Sequence, residues 1–300
     1  MKRESFGSRL GFILVSAGCA IGIGNVWKFP YICGAYGGAA FILIYLCFLV
    51  ILGIPVLVAE FAVGRGSHTS VAKCFDKLAP AGSCWKSLKF IGIIGCYMLM
   101  MFYTTVGGWM IYYCVKSLRG DFVGASPEAV TQSFSDMLGN APTMMLWMVI
   151  ICLIGFAVCF MGLQNGIEKI SKVMMSALLI IMVILAVHSV MMEGAGEGIR
   201  FYLVPDFQKI KEAGVGNVVF AALSQSFFTL SIGIGAMLIF GSYLDKSRSL
   251  TGEAVSITVL DTFVALTAGF IIIPHASLME SSRMQVRALS LSLCPIFLQR

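Results

Sequence analysis

The sequence predicts an all-α protein that crosses a membrane several times. Three features carry that prediction. The 300 residues are 58% hydrophobic and only 12% charged, with mean hydropathy +0.91, whereas soluble domains are about 45–50% apolar and about 25% charged. Several apolar runs approach the roughly 20 residues that a helix needs to span a bilayer. The basic residues sort to alternate loops, as the positive-inside rule requires.

In chain order, the first helix is read over residues 9–30, and it is interrupted by Gly18, Gly22, Gly24, Asn25 and Lys28. Met1-Lys2-Arg3, an apolar stretch and Ser16-Ala17-Gly18-Cys19 also resemble a lipoprotein signal. The uninterrupted run from Leu10 to Val15 is short for a signal core, and a second membrane helix follows it, so the spanning reading stands. The second helix, 38–63, holds Pro55, tolerable in lipid where local adjustment satisfies the freed carbonyl. Glu60, near its inner end, reads as a pairing or interfacial residue. A polar, basic loop leads to a third helix, 88–116, rich in aromatics such as Tyr97, Tyr103, Trp109 and Tyr112. An outer loop, 117–142, precedes the fourth helix, 144–161, and a tight inner turn opens the fifth, 166–190. Short amphipathic pieces over 193–216 come before the sixth and seventh helices, 217–243 and 252–274.

With the N-terminus inside, Lys2, Arg3, Arg9, Arg65, Lys73, Lys77, Lys86, Lys89, Lys169, Lys172, Lys246 and Arg248 face the cytoplasm. Lys116, Arg119, Arg200, Lys209 and Lys211 face outward, twelve against five, so a multi-pass inner-membrane protein with a cytoplasmic N-terminus is expected. The net charge of +6 follows these loops and does not imply nucleic acid. Ten scattered cysteines without a C-x-x-C pair read as membrane hydrophobes, and His68, His188 and His275 lack ligand spacing. No nucleophile–base or phosphate-loop motif is present, so no enzyme is expected. Nothing resembles the repeated pore loop or charged ring of a channel. Oligomeric state is not legible.

Ile21-Gly22-Ile23-Gly24 recurs as Ile232-Gly233-Ile234-Gly235, each near the middle of a membrane segment, five helices apart. Two readings fit: close helix packing through small residues, or interrupted segments that form a transporter's binding site. Glycine makes unwinding cheap, and unwound backbone at membrane depth is tolerated only around a cavity or ligand. Freed carbonyls suit a small hard cation, and the following half-helix favours a carboxylate. Asn25 reads equally as a ligand or a helix cap, and Thr229 and Ser231 as ligands or as hydroxyls bonded to their own helix. Asp261, ten residues into the seventh helix, is the sharper candidate, because an unpaired acid at that depth costs several kcal/mol.

Ser8-Arg9-Leu10-Gly11-Phe12, Asn25-Val26-Trp27-Lys28-Phe29-Pro30, Gly37-Gly38-Ala39-Ala40-Phe41, Glu60 through Arg65, and Gln225 through Ser231 together resemble the neurotransmitter:sodium symporter family, in its bacterial amino-acid-transporting branch. The resemblance covers about residues 5–274 and implies the first seven helices of an inverted-repeat (5+5) sodium symporter fold, helices 1 and 6 broken mid-membrane. It implies sodium-coupled symport of a neutral, apolar or aromatic amino acid, with Na⁺ as the co-transported ion and no organic cofactor. By the same resemblance, substrate carboxylate and amine meet the backbone around Ala20, Gly22, Gly24, Phe228, Thr229 and Ser231. Tyr103 donates to the carboxylate, and Leu99, Phe228 and Ile234 line the side-chain pocket. A first sodium takes Ala20, Asn25, Thr229 and Asp261; a second takes carbonyls of Gly18 and Ile21 plus ligands from helix 8. Chloride-dependent relatives hold chloride through a Tyr, a Gln and Ser residues; Tyr45 and Gln225 fall at two of those places, and a fixed carboxylate at Asp261 implies chloride independence. Arg3, Lys28 and Gln225 are assigned to the gates, Lys28 standing where an arginine is usual and so holding its partner more loosely.

The symporter region is thus expected over 1–274 and an aberrant tail over 275–300, where HASLMESSRMQVRALSLSLCPIFLQR replaces the helix 8 that the resemblance requires. With suitable codons the tail's bases read in another frame as a string like the family's helix 7–8 junction, so a frameshift after Pro274 is expected. A chain ending at residue 300 keeps one repeat and two helices of the next, without the second sodium site or the partners of Arg3 and Lys28. The expectation is a symporter by ancestry lacking parts that alternating access needs; the alternative is a non-transporting membrane fragment.

Overall fold

A computed structural model describes residues 6–125, 127–192 and 194–278. Among them the regular structure is helical, and seven stretches correspond to the seven expected spans. The first is bent. Helix α1 (Arg9–Ala20) stops at Ile21, whose backbone is extended (φ −72°, ψ 101°), and a wide π turn (Gly24–Lys28) leads into α2 (Phe29–Ala35) at 54° to α1. Ser8 starts α1 by accepting the amide of Gly11 at 3.0 Å.

The second span joins α3 (Ala39–Phe48) to α4 (Ile54–Ser67) through another wide turn, Leu49–Gly53. Pro55 explains it. With no N–H to give the preceding turn, the coil widens just ahead of the proline, which is the local adjustment the sequence demands. A short helix α5 (Val71–Leu78) and a 3₁₀ turn (Cys84–Ser87) connect it to the third span, α6 (Leu88–Arg119), which Gly120 ends at φ 81°.

Helix α7 (Pro127–Gly139) lies in the loop after α6, and Asn140 caps α8 (Ala141–Phe160), the fourth span, by accepting the Thr143 amide at 3.1 Å. Helix α8 buries none of its apolar core and touches the molecule chiefly along α6. It comes close there because Gly108 has no Cβ, which would fall 2.8 Å from the Met148 nitrogen. The fifth span enters through a wide turn, Leu163–Glu168, two to three residues before the sequence expectation, and continues as α9 (Lys169–Val190).

Two short helices, α10 (Gly196–Leu203) and α11 (Phe207–Ala213), precede the sixth span. This span is in two pieces, α12 (Val215–Thr229) and α13 (Ala236–Gly241), separated by six non-helical residues. The seventh, α14 (Leu250–Leu278), runs through Pro274. It packs against α1, α2, α4, α9 and α10 and is the most enclosed of the long spans. The main core, including Phe12, Phe29, Phe41, Phe61, Ile257 and Val264, surrounds it. The nine cysteines within the described residues are all free. Residues 279–300, most of the expected aberrant tail, lie outside the described residues, as does Arg3.

Candidate functional site

The interruptions of the first and sixth spans meet in the middle of the molecule. Gln225 is fully buried and its Nε2 donates to the carbonyl of Gly24 at 3.0 Å. The Ser231 hydroxyl donates to the carbonyl of Cys19 at 3.1 Å. Side chains of the sixth span therefore satisfy backbone acceptors of the first around its break, as unwound backbone at this depth requires. Gly24 is needed for the approach itself: a Cβ there would lie 2.7 Å from the Phe228 ring.

Asp261 reaches this junction from α14. It is 0% exposed, and its two oxygens accept from Asn25 Nδ2 and Thr229 Oγ1, each at 2.8 Å. Asn25 Nδ2 also donates to the Asp261 carbonyl at 3.1 Å, while its Oδ1 turns to the Gly22 amide at 3.4 Å. Asn25 and Thr229 are likewise fully enclosed. A buried carboxylate held only by neutral donors lacks the cation that ordinarily compensates such a charge. The oxygens of Asp261 and Thr229 are hard donors of the kind a small cation prefers. Sodium, as cargo, fits that donor set.

Tyr103, on α6, brings its hydroxyl to Gly22: a Cβ added there would be 3.6 Å from it. Leu99 is one turn earlier and half-buried. Ile234, inside the second interruption, packs on α6, its carbonyl accepting from Cys96 Sγ at 3.2 Å. Lys28 closes this region from the end of the first wide turn, with Nζ 4.1 Å from the centre of the Phe228 ring. Gln225, expected at a gate, bridges the interruptions from inside, and its Oε1 has no hydrogen-bond partner among the described residues. Gly18 looks away from the cluster, toward Met175 of α9, whereas Ile21 is buried at the break. Tyr45 is fully buried against Phe29, 5.2 Å between ring centres.

Three carboxylates have roles that the sequence does not display. Glu60 accepts the amides of Gly233 at 2.6 Å and Leu238 at 3.3 Å, so it pairs with the backbone of the second interruption and the start of α13 rather than with a cation. Glu168 accepts from the Gly7 amide at 2.8 Å, Ser8 Oγ at 3.2 Å and Lys172 Nζ at 2.7 Å. Glu253, 4% exposed at its side chain, accepts from Arg9 Nε at 2.9 Å. The last two pin the entrance of α1 from α9 and α14, and Gly11 leaves the room that Glu168 occupies.

Replacing Glu60 by glutamine puts an amide N–H₂ against one of the two backbone donors. Such a mismatch costs about 1–3 kcal/mol. The expected result is a several-fold faster alkylation of Cys96, whose thiol rests on Ile234, read peptide by peptide by mass spectrometry. An unchanged rate would show that Glu60 does not hold the interruption.

The pattern of the sodium:neurotransmitter symporter family matches residues 3–136 and 128–286. An uncharacterized sodium-dependent transporter of Bacillus subtilis, YhdH, is 36% identical over 273 residues, which are 91% of this chain and 59% of that protein. One from Haemophilus influenzae is 32% identical over 282 residues, covering 91% of this chain and 61% of its own length. The crystal structure of MhsT in complex with L-phenylalanine superposes with a TM-score of 0.83 at 37% identity, over 97% of this chain and 63% of that one. The chain thus spans about three fifths of the length of the relatives it matches.

Proposed function

The chain belongs to the sodium:neurotransmitter symporter family, and from that premise we propose that it carries the binding centre of a sodium-coupled symporter for a neutral, apolar or aromatic amino acid. Members of this family are transporters, not enzymes. One observation carries the proposal: Asp261, wholly buried, joined to Asn25 and Thr229 where two spans are interrupted. The first sodium takes oxygens of Asp261, Asn25, Thr229 and Ala20. The amino acid's carboxylate lies between that ion, the Tyr103 hydroxyl and the backbone of Gly22 and Gly24. Its ammonium meets carbonyls near Phe228, Thr229 and Ser231. Its side chain meets the apolar groups of Leu99, Phe228 and Ile234, whose polarity suits an amino acid such as the L-phenylalanine in the MhsT complex. Gly18 and Ile21 contribute to a second sodium site, and Arg3 and Lys28 to the inner and outer gates, in an N-inside orientation in the cytoplasmic membrane.

A carboxylate fixed in place at Asp261 supplies the negative charge that a bound chloride would otherwise provide beside sodium. In proteoliposomes holding the protein, uptake of radiolabelled neutral amino acids is expected to need an inward sodium gradient and to persist when chloride is exchanged for gluconate. Uptake that collapses in gluconate overturns the role given to Asp261. Absence of sodium-dependent uptake, in a folded chain that a full-length counterpart outperforms, selects the non-transporting fragment instead.

A further inference from the structure

We infer that the connection between the second and third spans is a docking surface for anionic phospholipid headgroups, geared to the interruption of the sixth span. The inference rests on the membrane-spanning fold and not on transport. Because α4 and α6 both cross the bilayer, the segment joining them must lie at a membrane surface. Its helix α5 turns Val71 and Cys74 inward, against Leu238 of α13, and leaves Lys73, Asp76, Lys77 and Leu78 exposed. The 3₁₀ turn that follows presents Trp85, 62% exposed. A tryptophan so placed is the side chain that membrane proteins hold at the headgroup level.

The lysines divide into two kinds. Lys77 Nζ donates to the Ser67 carbonyl at 2.8 Å, and Lys89 pairs with Asp76 at 2.9 Å. Both are engaged within the loop. Lys73 and Lys86 make no side-chain hydrogen bond or ion pair among the described residues. Two uncommitted ammonium groups on the same short connection as an exposed indole match a phosphodiester of net negative charge, and a basic, amphipathic surface segment is drawn to anionic lipid in this way. A zwitterionic headgroup brings its own cation and gains less from them.

The gearing lies in Val71. Its methyl groups sit so close to Gly92 of α6 and to Gly235 of the sixth span that a Cβ on either glycine would fall 2.9 and 2.7 Å from them. Val71 also lines, with Glu60, Gly233 and Leu238, a cavity of about 230 Å³. Movement of α5 toward or away from the headgroups therefore presses or releases the backbone that Glu60 holds.

The test uses the whole chain in vesicles of phosphatidylcholine and phosphatidylglycerol at fixed proportions, with bromine on the acyl chains of one lipid at a time. Trp85 emission is isolated by subtracting the Trp85→Phe variant. Brominated phosphatidylglycerol is expected to quench Trp85 more than brominated phosphatidylcholine at equal mole fraction. That preference is expected to weaken about fivefold for each of Lys73→Gln and Lys86→Gln, and to survive in the paired Lys→Arg variant, which guards against misfolding. Equal quenching by the two lipids, no quenching by either, or a preference that persists in the Gln variants overturns the inference.

Discussion

Exchanging Asp261 for asparagine is expected to abolish the stabilisation by sodium that the proposed site predicts. In the folded chain both carboxylate oxygens face donors at 2.8 Å, and no part of the side chain meets solvent. Asparagine keeps the shape but must turn its N–H₂ either toward Asn25 Nδ2, where a buried donor is left without an acceptor at a cost of about 1–3 kcal/mol, or toward the Thr229 hydroxyl, which must then rotate to accept. The larger loss is the charge. An ion in this enclosure has no water to replace a missing counter-charge, and removing one partner of such a pair costs about 3–5 kcal/mol. Sodium affinity should therefore fall by at least about a hundredfold. In detergent solution the unfolding midpoint of the unaltered chain should rise with sodium and not with potassium, because an ion that binds only the folded state stabilises it by mass action. The variant's midpoint should stay flat over the same range. An undiminished sodium response would place the ion elsewhere.

The second large effect is structural. Helices α4 and α13 cross backbone to backbone: a Cβ on Gly64 would collide with the Leu238 carbonyl and come within 2.9 Å of the Ser242 nitrogen, and one on Gly241 would lie 2.7 Å from the Phe61 Cα. Neither helix can yield at these points by turning a side chain. Alanine at position 64 should cost about 3 kcal/mol, the upper end for overpacking, and lower the unfolding midpoint by about 6–12 °C. It also pushes α13 off the Glu60 carboxylate, so Cys96 should become easier to alkylate. Gly66, two residues along the same helix, is the control, because a Cβ there meets only Leu78 methyls at 3.8 Å. Alanine at 66 should leave the midpoint unchanged or slightly raised through helix propensity. Equal effects at the two positions would show that the crossing is looser than described.

What the sequence made legible is what depends on local composition. The apolar runs located the seven spans, and the paired Ile-Gly-Ile-Gly segments located both interruptions, which open at Ile21 and after Thr229. Asp261 stood out because an acid within an apolar run is conspicuous. From the residues alone Asn25, Thr229 and Asp261 were legible only as separate candidates, since neither glycine spacing nor depth says which groups face one another; the family resemblance grouped them, and hydrogen bonds join them here. Glu60 was legible as a pairing or interfacial residue but its partners were not, and Glu168 and Glu253 escaped for a related reason. Glu60 and Glu168 accept backbone amides, which nearly every residue possesses, and the decisive partners lie far off in the chain: Gly7 is 161 residues from Glu168, and Arg9 is 244 from Glu253. The wide turn at Leu49–Gly53 leaves no periodic trace, because one added residue does not disturb an all-apolar run, and only Pro55 just after it signals a local adjustment.

Ser231 has a left-handed backbone, φ 52°, without being glycine. A conformation of that kind carries on the order of 1–3 kcal/mol of tension, and the hydroxyl of the same residue is fastened to the end of the other interrupted span. Pulling the first span aside would undo that fastening and let the kinked residue spring toward a relaxed geometry. The sixth span is thus cocked against the first, with the latch and the spring residing in a single amino acid.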